Sequence, residues 1–335
     1  MKEAFRASLS AALVRSGATR LGRRLRRHDG TLILFGHRVA ADDEGYLQGL
    51  PPTYLRDQLE YLTRHYEVIS LETLVACVEA GTPTPPRSVV LTFDDGFRDN
   101  VEVALPILDA FGVSATIFVV TRSLDTGELP WSQRLGYLFQ RTEQCTLAHP
   151  WLGSAPVPVR SRNERLSAYA TVKAHLIPLV RVERDRRIDE FAELLTVSPP
   201  TDRMMTWEHA RAARAGGHAI GAHSYSHALL ARVPFEEARV EMERSRDDVA
   251  SNLTIDRPMF CFPAGSVNHA LVDLAKHVGF RSAFWPDRAV RLNRSVNADP
   301  FAITRVGIPN APAVQLEAEL DGPLHVLRML TRRYS

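Results

Sequence analysis

The sequence predicts an α/β fold in which parallel strands alternate with helices and close into a barrel. Short apolar or β-branched segments alternate with amphipathic segments of about ten or more residues, many of which end at glycine or proline. The chain has 335 residues, enough for one α/β barrel, since such barrels commonly need about 200 to 250. Its hydrophobic content of 45% and charged content of 24% are those of a globular protein with a full core.

The individual elements follow from these patterns and from the turn residues between them. The predicted strands are residues 31–36, 67–70, 89–93, 115–120, 219–222, 259–262, 280–285 and 301–308. The predicted helices are residues 53–66, 71–80, 97–111, 131–142, 163–195, 206–216, 234–253 and 270–278. Helices between consecutive strands indicate parallel strands joined by crossover connections.

The alternation breaks at about residues 130–200, where charged and mainly helical sequence replaces the regular pattern. We predict that this segment is an insertion that caps one mouth of the barrel. The alternative is a solvated excursion that takes no part in substrate binding. Trp131, at the start of the insertion, is a candidate substrate contact.

Two segments flank the predicted barrel at residues 31–310, namely an N-terminal arm at 1–30 and a C-terminal tail at 311–335. Residues 1–28 hold eight Lys or Arg and one Glu, a charge of about +7, whereas the whole chain has a net charge of +2. Apolar residues recur in the arm at helical spacing, at Phe5, Leu9, Leu13, Leu21 and Leu25. We expect an amphipathic helix that either lies on an anionic membrane surface or packs on the barrel as an ordinary first helix.

The lack of a recognisable targeting signal and the spacing of the cysteines favour a cytoplasmic protein. No apolar run reaches the ~18 residues that a membrane span needs, and basic residues interrupt and follow the apolar part of the arm, unlike in a secretory signal. Three widely spaced cysteines, Cys77, Cys145 and Cys261, do not form a disulfide framework. We therefore expect a cytoplasmic location, with peripheral contact at the inner membrane surface through residues 1–28 as one option, and no nucleic-acid partner.

Two carboxylates and two histidines follow two of the predicted strands. Asp94 and Asp95 end the apolar run that begins at Val89, and His223 and His227 follow another short apolar strand. Burying adjacent charges is costly unless something compensates them. Histidines four residues apart share one face if the chain is helical there. Two imidazoles and one carboxylate, with positions left for water and substrate, are typical of a catalytic metal site, and zinc is the default ion.

The segments Thr92-Phe93-Asp94-Asp95-Gly96 and His223-Ser224-Tyr225-Ser226-His227 resemble the first two motifs of the polysaccharide deacetylase family. This family is also called the NodB-homology group or carbohydrate esterase family 4. The resemblance spans roughly residues 31–309 and implies a distorted (β/α)7-type barrel. It also implies that Asp94 is the general base and that Asp95, His223 and His227 hold one divalent metal ion.

The third family motif, usually Arg-Pro-Pro-aromatic-Gly, is only partly matched by residues 261–265, Cys-Phe-Pro-Ala-Gly. Cys261 falls where the family's arginine would orient the base, so that support is missing or comes from elsewhere. The resemblance assigns the backbone amide of Ala264 to the oxyanion hole, a role that needs no side chain. Pro263 and Gly265 are candidate substrate-binding residues. The late Asp-Trp and Leu-x-His motifs are not recognisable.

His37 follows the first strand, and residues 32–39 are similar to a Tyr-His-x-Val strand that begins one subgroup of the family. In some members of that subgroup the early histidine replaces the late one as general acid, which makes His37 the candidate acid here. The alternative for His37 is a histidine that only caps its strand. Other histidines that could serve as the acid are His269 and His325.

The sequence thus predicts a metal-dependent hydrolase that removes an N-acetyl or other N-acyl group from a sugar of a polysaccharide or a lipid-linked glycan. Alternatives within the family are an N-formyl sugar deformylase and a catalytically impaired carbohydrate-binding member. An iron oxygenase also uses two histidines and one carboxylate. That class predicts a jelly roll of short strands instead of alternating strands and helices.

Overall fold

Seven parallel strands close into a barrel in this computed structural model, which describes residues 2–25, 30–41, 48–287 and 292–322. The strands in chain order are β1 (Leu32–Gly36), β2 (Glu67–Val68), β3 (Ser88–Asp95), β4 (Thr116–Val119), β5 (Thr146–Leu147), β6 (Val157–Pro158), β7 (Ala219–Ala222), β8 (Phe260–Cys261), β9 (Ala283–Pro286) and β10 (Ile303–Gly307). The barrel order is β1, β3, β4, β7, β8, β9, β10, and the pairing of β1 with both β3 and β10 closes it. The predicted parallel barrel is confirmed.

Helices cover the outside of the barrel and form the two added segments. In chain order they are α1 (Lys2–Arg15), α2 (Ala18–Leu25), α3 (Pro52–His65), α4 (Leu71–Ala80), α5 (Leu105–Ala110), α6 (Thr121–Thr126), α7 (Trp131–Arg141), α8 (Arg162–Leu176), α9 (Arg181–Leu195), α10 (Trp207–Ala215), α11 (Phe235–Leu253), α12 (His269–Val278) and α13 (Ala313–Leu320). None of the described helices is both long and apolar enough to cross a bilayer.

Two predicted helices differ from the observed ones for reasons of backbone chemistry. The helix predicted at 97–111 is a π-helical turn at Asn100–Ala104 followed by α5, and Pro106 in the first turn of α5 cannot donate a backbone hydrogen bond. The helix predicted at 163–195 is divided into α8 and α9, and Pro178 lies in the connection. Helix α6 and the β5–β6 hairpin were not predicted.

Alternate residues of β3 face the barrel interior and the outer helices, as expected for a strand buried on both sides. Val90 packs in the interior with Phe118 and Phe284, whereas Leu91 and Phe93 pack with the residues of the surrounding helices. The inward-facing row continues from Val90 through Thr92 to Asp94. The register of β3 therefore brings the Asp94 carboxylate to the interior at the carboxyl end of the barrel, where sites form in such folds.

The insertion forms a helical lobe with its own apolar core. Helices α7, α8 and α9 pack on one another around Leu135, Phe139, Val172, Ile188 and Phe191, all of which are buried. The lobe also contacts the barrel, because Arg184 of α9 is fully buried and donates a hydrogen bond to Ser226. The insertion is therefore joined to the loop that follows β7.

The N-terminal arm packs against α13, within the segment that was predicted to be a tail. Arg6 is ion-paired with Glu319, and Arg23 lies 2.8 Å from Glu317 and 2.9 Å from Asp321. These contacts match the alternative in which the arm is an ordinary first helix of the barrel.

Among the described side chains of the arm, the most buried are not the predicted apolar ones, although Leu9 and Leu13 are half-buried. Phe5 and Leu21 are 69% and 59% exposed, while Ser10 and Thr19 are buried. Phe235, the first residue of α11, is an apolar helical residue that is likewise 54% exposed. In each case helical spacing alone did not identify the face that the tertiary contacts cover.

Candidate active site

The carboxylates of Asp94 and Asp95 are both buried at the end of β3. Asp95 has a φ of 75° and Gly96 a φ of 79°, so the chain leaves the strand through two consecutive left-handed residues. A buried non-glycine residue in this region carries strain that the surrounding structure must offset. The turn lets neighbouring side chains, which would diverge on a regular strand, both reach the imidazole of His223.

His223 and His227 converge on the same oxygen of Asp95. The distances from Asp95 Oδ1 are 3.6 Å to His223 Nε2 and 3.3 Å to His227 Nε2. The helix suggested by their spacing is absent, since residues 223–229 form a loop in which Ser224 and His227 have φ of 62° and 59°. The prediction that the three residues come together was right, but the local structure that brings them together was not.

The three side chains fit a divalent ion. Their ligand atoms lie within 4.8 Å of one another, and ligands of a tetrahedral ion at about 2.0–2.1 Å are roughly 3.3 Å apart. Asp95 Oδ1 is buried and accepts no hydrogen bond from any described residue, an arrangement that costs free energy unless a cation is present. The ring of His223 has its Nδ1 2.7 Å from the carbonyl oxygen of Cys261, which leaves Nε2 for a ligand bond.

A second possible ligand group, Asp94, His223 and Cys261, is occupied by an arginine. Arg305 of β10 lies 2.8 Å from each oxygen of Asp94, and its Nη2 is 2.6 Å from Cys261 Sγ. A metal ion at this position would be in contact with a guanidinium cation, so we assign the metal group to Asp95, His223 and His227.

Arg305 supplies the support for Asp94 that the sequence lacks at Cys261. Its guanidinium is buried, makes a bidentate pair with Asp94, donates to the Thr92 hydroxyl at 2.9 Å, and lies over the Phe35 ring at 4.8 Å. The sequence signal was present but was missed: a lone arginine within the apolar strand Ile-Thr-Arg-Val-Gly is almost never buried without a partner. Because Cys261 is small, the long side chain of Arg305 can reach Asp94 from β10.

The charges of the site hold the acids ionised and one histidine neutral. Burial acts to raise the pKa of Asp94, but Arg305 and His223 outweigh it, so the pKa lies below its ordinary value. Burial opposes ionisation of Asp95 too, yet the histidines hold the pKa of Asp95 well below its usual range. Burial lowers the pKa of His223 to about 4, which gives the neutral imidazole that metal binding requires.

The other predicted site residues differ in their access to a ligand. His37 is exposed, its ring is edge-on to Phe35 at 5.9 Å, and its charge contributes to lowering the pKa of both Asp94 and Asp95. Ala264 is exposed with a φ of 49°, and its amide donates to no described residue. Gly265 is half-buried and lies with Ala264 beside a cavity of about 730 Å³, across from Ile177 of the insertion.

Two predicted substrate contacts are buried instead. Pro263 is buried in the turn after β8, and the cavity is lined by the residues that follow it, Ala264, Gly265 and Ser266. Trp131 is 4% exposed, and its Nε1 donates to the carbonyl oxygen of His227 at 2.8 Å. The structure thus contradicts the assignment of Trp131 to substrate binding, because the ring is covered by protein and its Nε1 is bonded to the loop that follows β7.

The fold and the site together define a β/α-barrel protein with paired buried aspartates and a histidine pair at the carboxyl ends of its strands. The sequence model of the polysaccharide deacetylase family matches residues 81–283. The chain belongs to the polysaccharide deacetylase family.

The chain is also similar, in sequence or in structure, to proteins that are named as deacetylases. The chain is 31% identical over 102 residues to the poly-β-1,6-N-acetyl-D-glucosamine N-deacetylase of Escherichia coli K12, a match that covers 30% of this chain but only 15% of that protein. The structure resembles the deacetylase PplD of Streptococcus pyogenes, with a TM-score of 0.57, 17% identity and coverage of 87% and 98% of the two chains. IcaB of Ammonifex degensii gives a TM-score of 0.58, 16% identity and coverage of 88% and 98%.

We expect the Arg305→Met variant to lose activity chiefly by changing Asp94. Without the guanidinium, burial raises the pKa of Asp94, so the ionised base appears only at higher pH. The acid limb of the pH–rate profile should move to higher pH, and kcat/KM at neutral pH should fall by about 10²-fold or more. Arg305→Lys, which retains the charge but not the bidentate pair, should give an intermediate profile.

The matched control for Arg305 is Arg281→Met, which removes an arginine paired with Glu79 on the outer surface. It should leave the profile unchanged. A folded Arg305→Met protein with the wild-type acid limb would show that Arg305 does not set the ionisation of the base.

Proposed function

We propose that this protein is a metal-dependent carbohydrate N-deacetylase that hydrolyses an N-acetyl, or another N-acyl, group of an amino sugar in a polysaccharide or lipid-linked glycan. The observation that carries the proposal is the orphaned Oδ1 of Asp95, which faces two histidine Nε2 atoms beside a second, separately held carboxylate. Family membership supports the reaction class, and the relatives' names support an N-acetylated sugar.

Each residue of the site has a distinct task in this proposal. Asp95, His223 and His227 hold the ion, and zinc suits two histidines and one carboxylate. When bound, such an ion polarises the acyl carbonyl and lowers the pKa of its water. Asp94, kept ionised and oriented by Arg305, accepts a proton from the attacking water. The exposed amide of Ala264 donates a hydrogen bond to the developing oxyanion.

His37 is the general acid in this proposal, because it is exposed at the same rim and lies close enough to alter the ionisation of both aspartates. It would protonate the leaving amine of the sugar as the amide bond breaks. His269 is the alternative acid within the described part of the chain, and His325 lies outside the described residues.

The structure bears differently on each of the alternative functions. The parallel barrel excludes the jelly-roll oxygenase. The impaired, carbohydrate-binding alternative was based on the missing motif arginine, and Arg305 now fills that role. An N-formyl sugar deformylase would use the same residues and differs only in the acyl group.

The cytoplasmic location and the membrane contact of residues 1–28 stay predictions. The pairing of Arg6 and Arg23 with acidic residues weakens the prediction of membrane contact.

The direct test incubates the protein with a panel of N-acetyl and N-formyl amino sugars, as monomers, β-1,6-linked oligomers and lipid-linked forms, and measures the released acid. We expect metal-dependent release from at least one N-acetylated substrate. Asp94→Asn should retain bound metal and lose about 10²–10⁴-fold in rate, since the base is lost but no ligand is. His223→Ala and His227→Ala should lose metal and activity together.

Three results would contradict the proposal. Full metal content in both histidine variants would show that the ion binds elsewhere. Turnover by a folded Asp94→Asn protein near the wild-type rate would remove Asp94 as the base. Binding of the sugars without release of acid by the wild type would favour the non-catalytic alternative.

We expect His37→Ala to change the alkaline limb of the pH–rate profile and leave the acid limb in place. A protonated acid is needed only to expel a poor leaving group, so N-acyl substrates with activated amines should be hydrolysed nearly as fast as by the wild type. His269→Ala tests the alternative acid, an exposed residue that begins α12, and we expect this variant to keep the wild-type profile. An unchanged profile in His37→Ala with an altered one in His269→Ala would transfer the role to His269.

A further inference from the structure

The first turn of α7, at the start of the insertion, contacts two of the three proposed metal ligands. Gln133 Nε2 lies 2.5 Å from Asp95 Oδ2, and Trp131 Nε1 lies 2.8 Å from the carbonyl oxygen of His227. Neither contact follows from the family motifs, which lie in the barrel. The insertion therefore contacts two of the proposed metal ligands directly.

The orientation of the Gln133 amide follows from its partner. An ionised carboxylate only accepts hydrogen bonds, so the NH₂ group of Gln133 must face Asp95. The bond is charge-assisted, which makes it stronger than one between neutral groups. The other end of the amide, Oε1, is buried without a partner among the described residues. This end would accept a hydrogen bond from a water or a hydroxyl group that enters the site.

The two oxygens of Asp95 are thereby given different partners. Oδ2 is held by Gln133, and Oδ1 faces the two histidine nitrogens. A carboxylate with one oxygen tied to a donor is held in one orientation and presents a single oxygen to an ion. Without the donor, Asp95 could rotate or offer both oxygens.

Packing holds α7 in the position that this contact needs. Trp131 is buried under the guanidinium of Arg184, which lies 5.2 Å from the ring centroid. Arg184 donates to the hydroxyl of Ser226 at 2.9 Å, and the Ser226 amide donates to buried Glu241 at 2.7 Å. This chain of contacts joins α7, α9, the loop after β7 and α11. Gln133 is thus presented from a helix that is fixed to the barrel by several contacts.

We propose that Gln133 is a positioning residue that fixes Asp95 as a one-oxygen ligand and so sets the affinity and coordination of the metal centre. The inference rests on the proposed function, because it assigns a role toward the same ion. It makes the insertion part of the active centre, in place of a solvated excursion.

The test compares metal binding by wild type, Gln133→Leu and Gln133→Glu. Gln133→Leu removes the donor, and Gln133→Glu keeps the length and shape of the side chain while replacing the donor with an acceptor. Both should bind Zn²⁺ about 10–100-fold more weakly in competition with a chromogenic chelator, the usual effect of losing an outer-shell partner. Their Co²⁺ forms should have visible absorption bands that differ in intensity from the wild type, because the coordination of Asp95 changes.

Gln144→Leu is the matched control. Gln144 lies in the same insertion and its Nε2 also donates a hydrogen bond, but to Thr196 at 3.1 Å. This variant should match the wild type in affinity and spectrum. Thermal unfolding of all four proteins in chelator shows whether each apoprotein is folded, and the isosteric Gln133→Glu keeps the test open if Gln133→Leu is not.

The outcomes separate the inference from the proposed function. Wild-type affinity and an unchanged Co²⁺ spectrum in a folded Gln133 variant would overturn the role of Gln133 while leaving the metal site intact. A wild-type protein that binds neither ion would overturn the proposed function and this inference together. Equal weakening in Gln144→Leu would assign the effect to general loosening of the insertion.

Discussion

Asp94 and Asp95 bury two neighbouring carboxylates at the end of one strand, and each requires a group that offsets its charge. Asp94 has the bidentate Arg305, and breaking such a buried pair costs about 3–5 kcal/mol. Asp95 has Gln133 on one oxygen and two imidazoles facing the other. The partners give chemically identical side chains different surroundings, and the proposed function uses this difference: Asp94 is the oriented base and Asp95 is a metal ligand.

Because each carboxylate has its own partners, the site contains residues from several strands, a loop and the insertion. Thr92 and Asp94 come from β3, Arg305 from β10, the histidines from the loop after β7, and Gln133 from the insertion. The carboxyl ends of parallel strands meet at one rim, so residues far apart in sequence can share one charge network. An arginine that contacts Asp94 can come from β10 in place of the usual motif position in β8, because residues of both strands lie beside Asp94.

The barrel and the convergence of Asp95 with the two histidines could be predicted because they depend on local signals. Apolar strands between helices gave the fold, and Asp94, Asp95, His223 and His227 were recognised from short motifs. Arg305 and Gln133 could not be placed in the same way, since their roles arise only when distant elements pack together. The same limit explains Trp131, which is buried where α9 packs on α7, and the exposed Phe5, whose helix packs on α13 through other residues.

The central claim is that Asp95, His223 and His227 bind one ion while Asp94 stays free of it. Anomalous diffraction from crystals grown with Zn²⁺, recorded on both sides of the zinc edge, tests this most directly. We predict one strong peak within bonding distance, about 2.0–2.2 Å, of Asp95 Oδ1 and of Nε2 of both histidines. A peak bonded to Asp94 and Cys261 with Arg305 displaced, or no peak at this rim, would contradict the account.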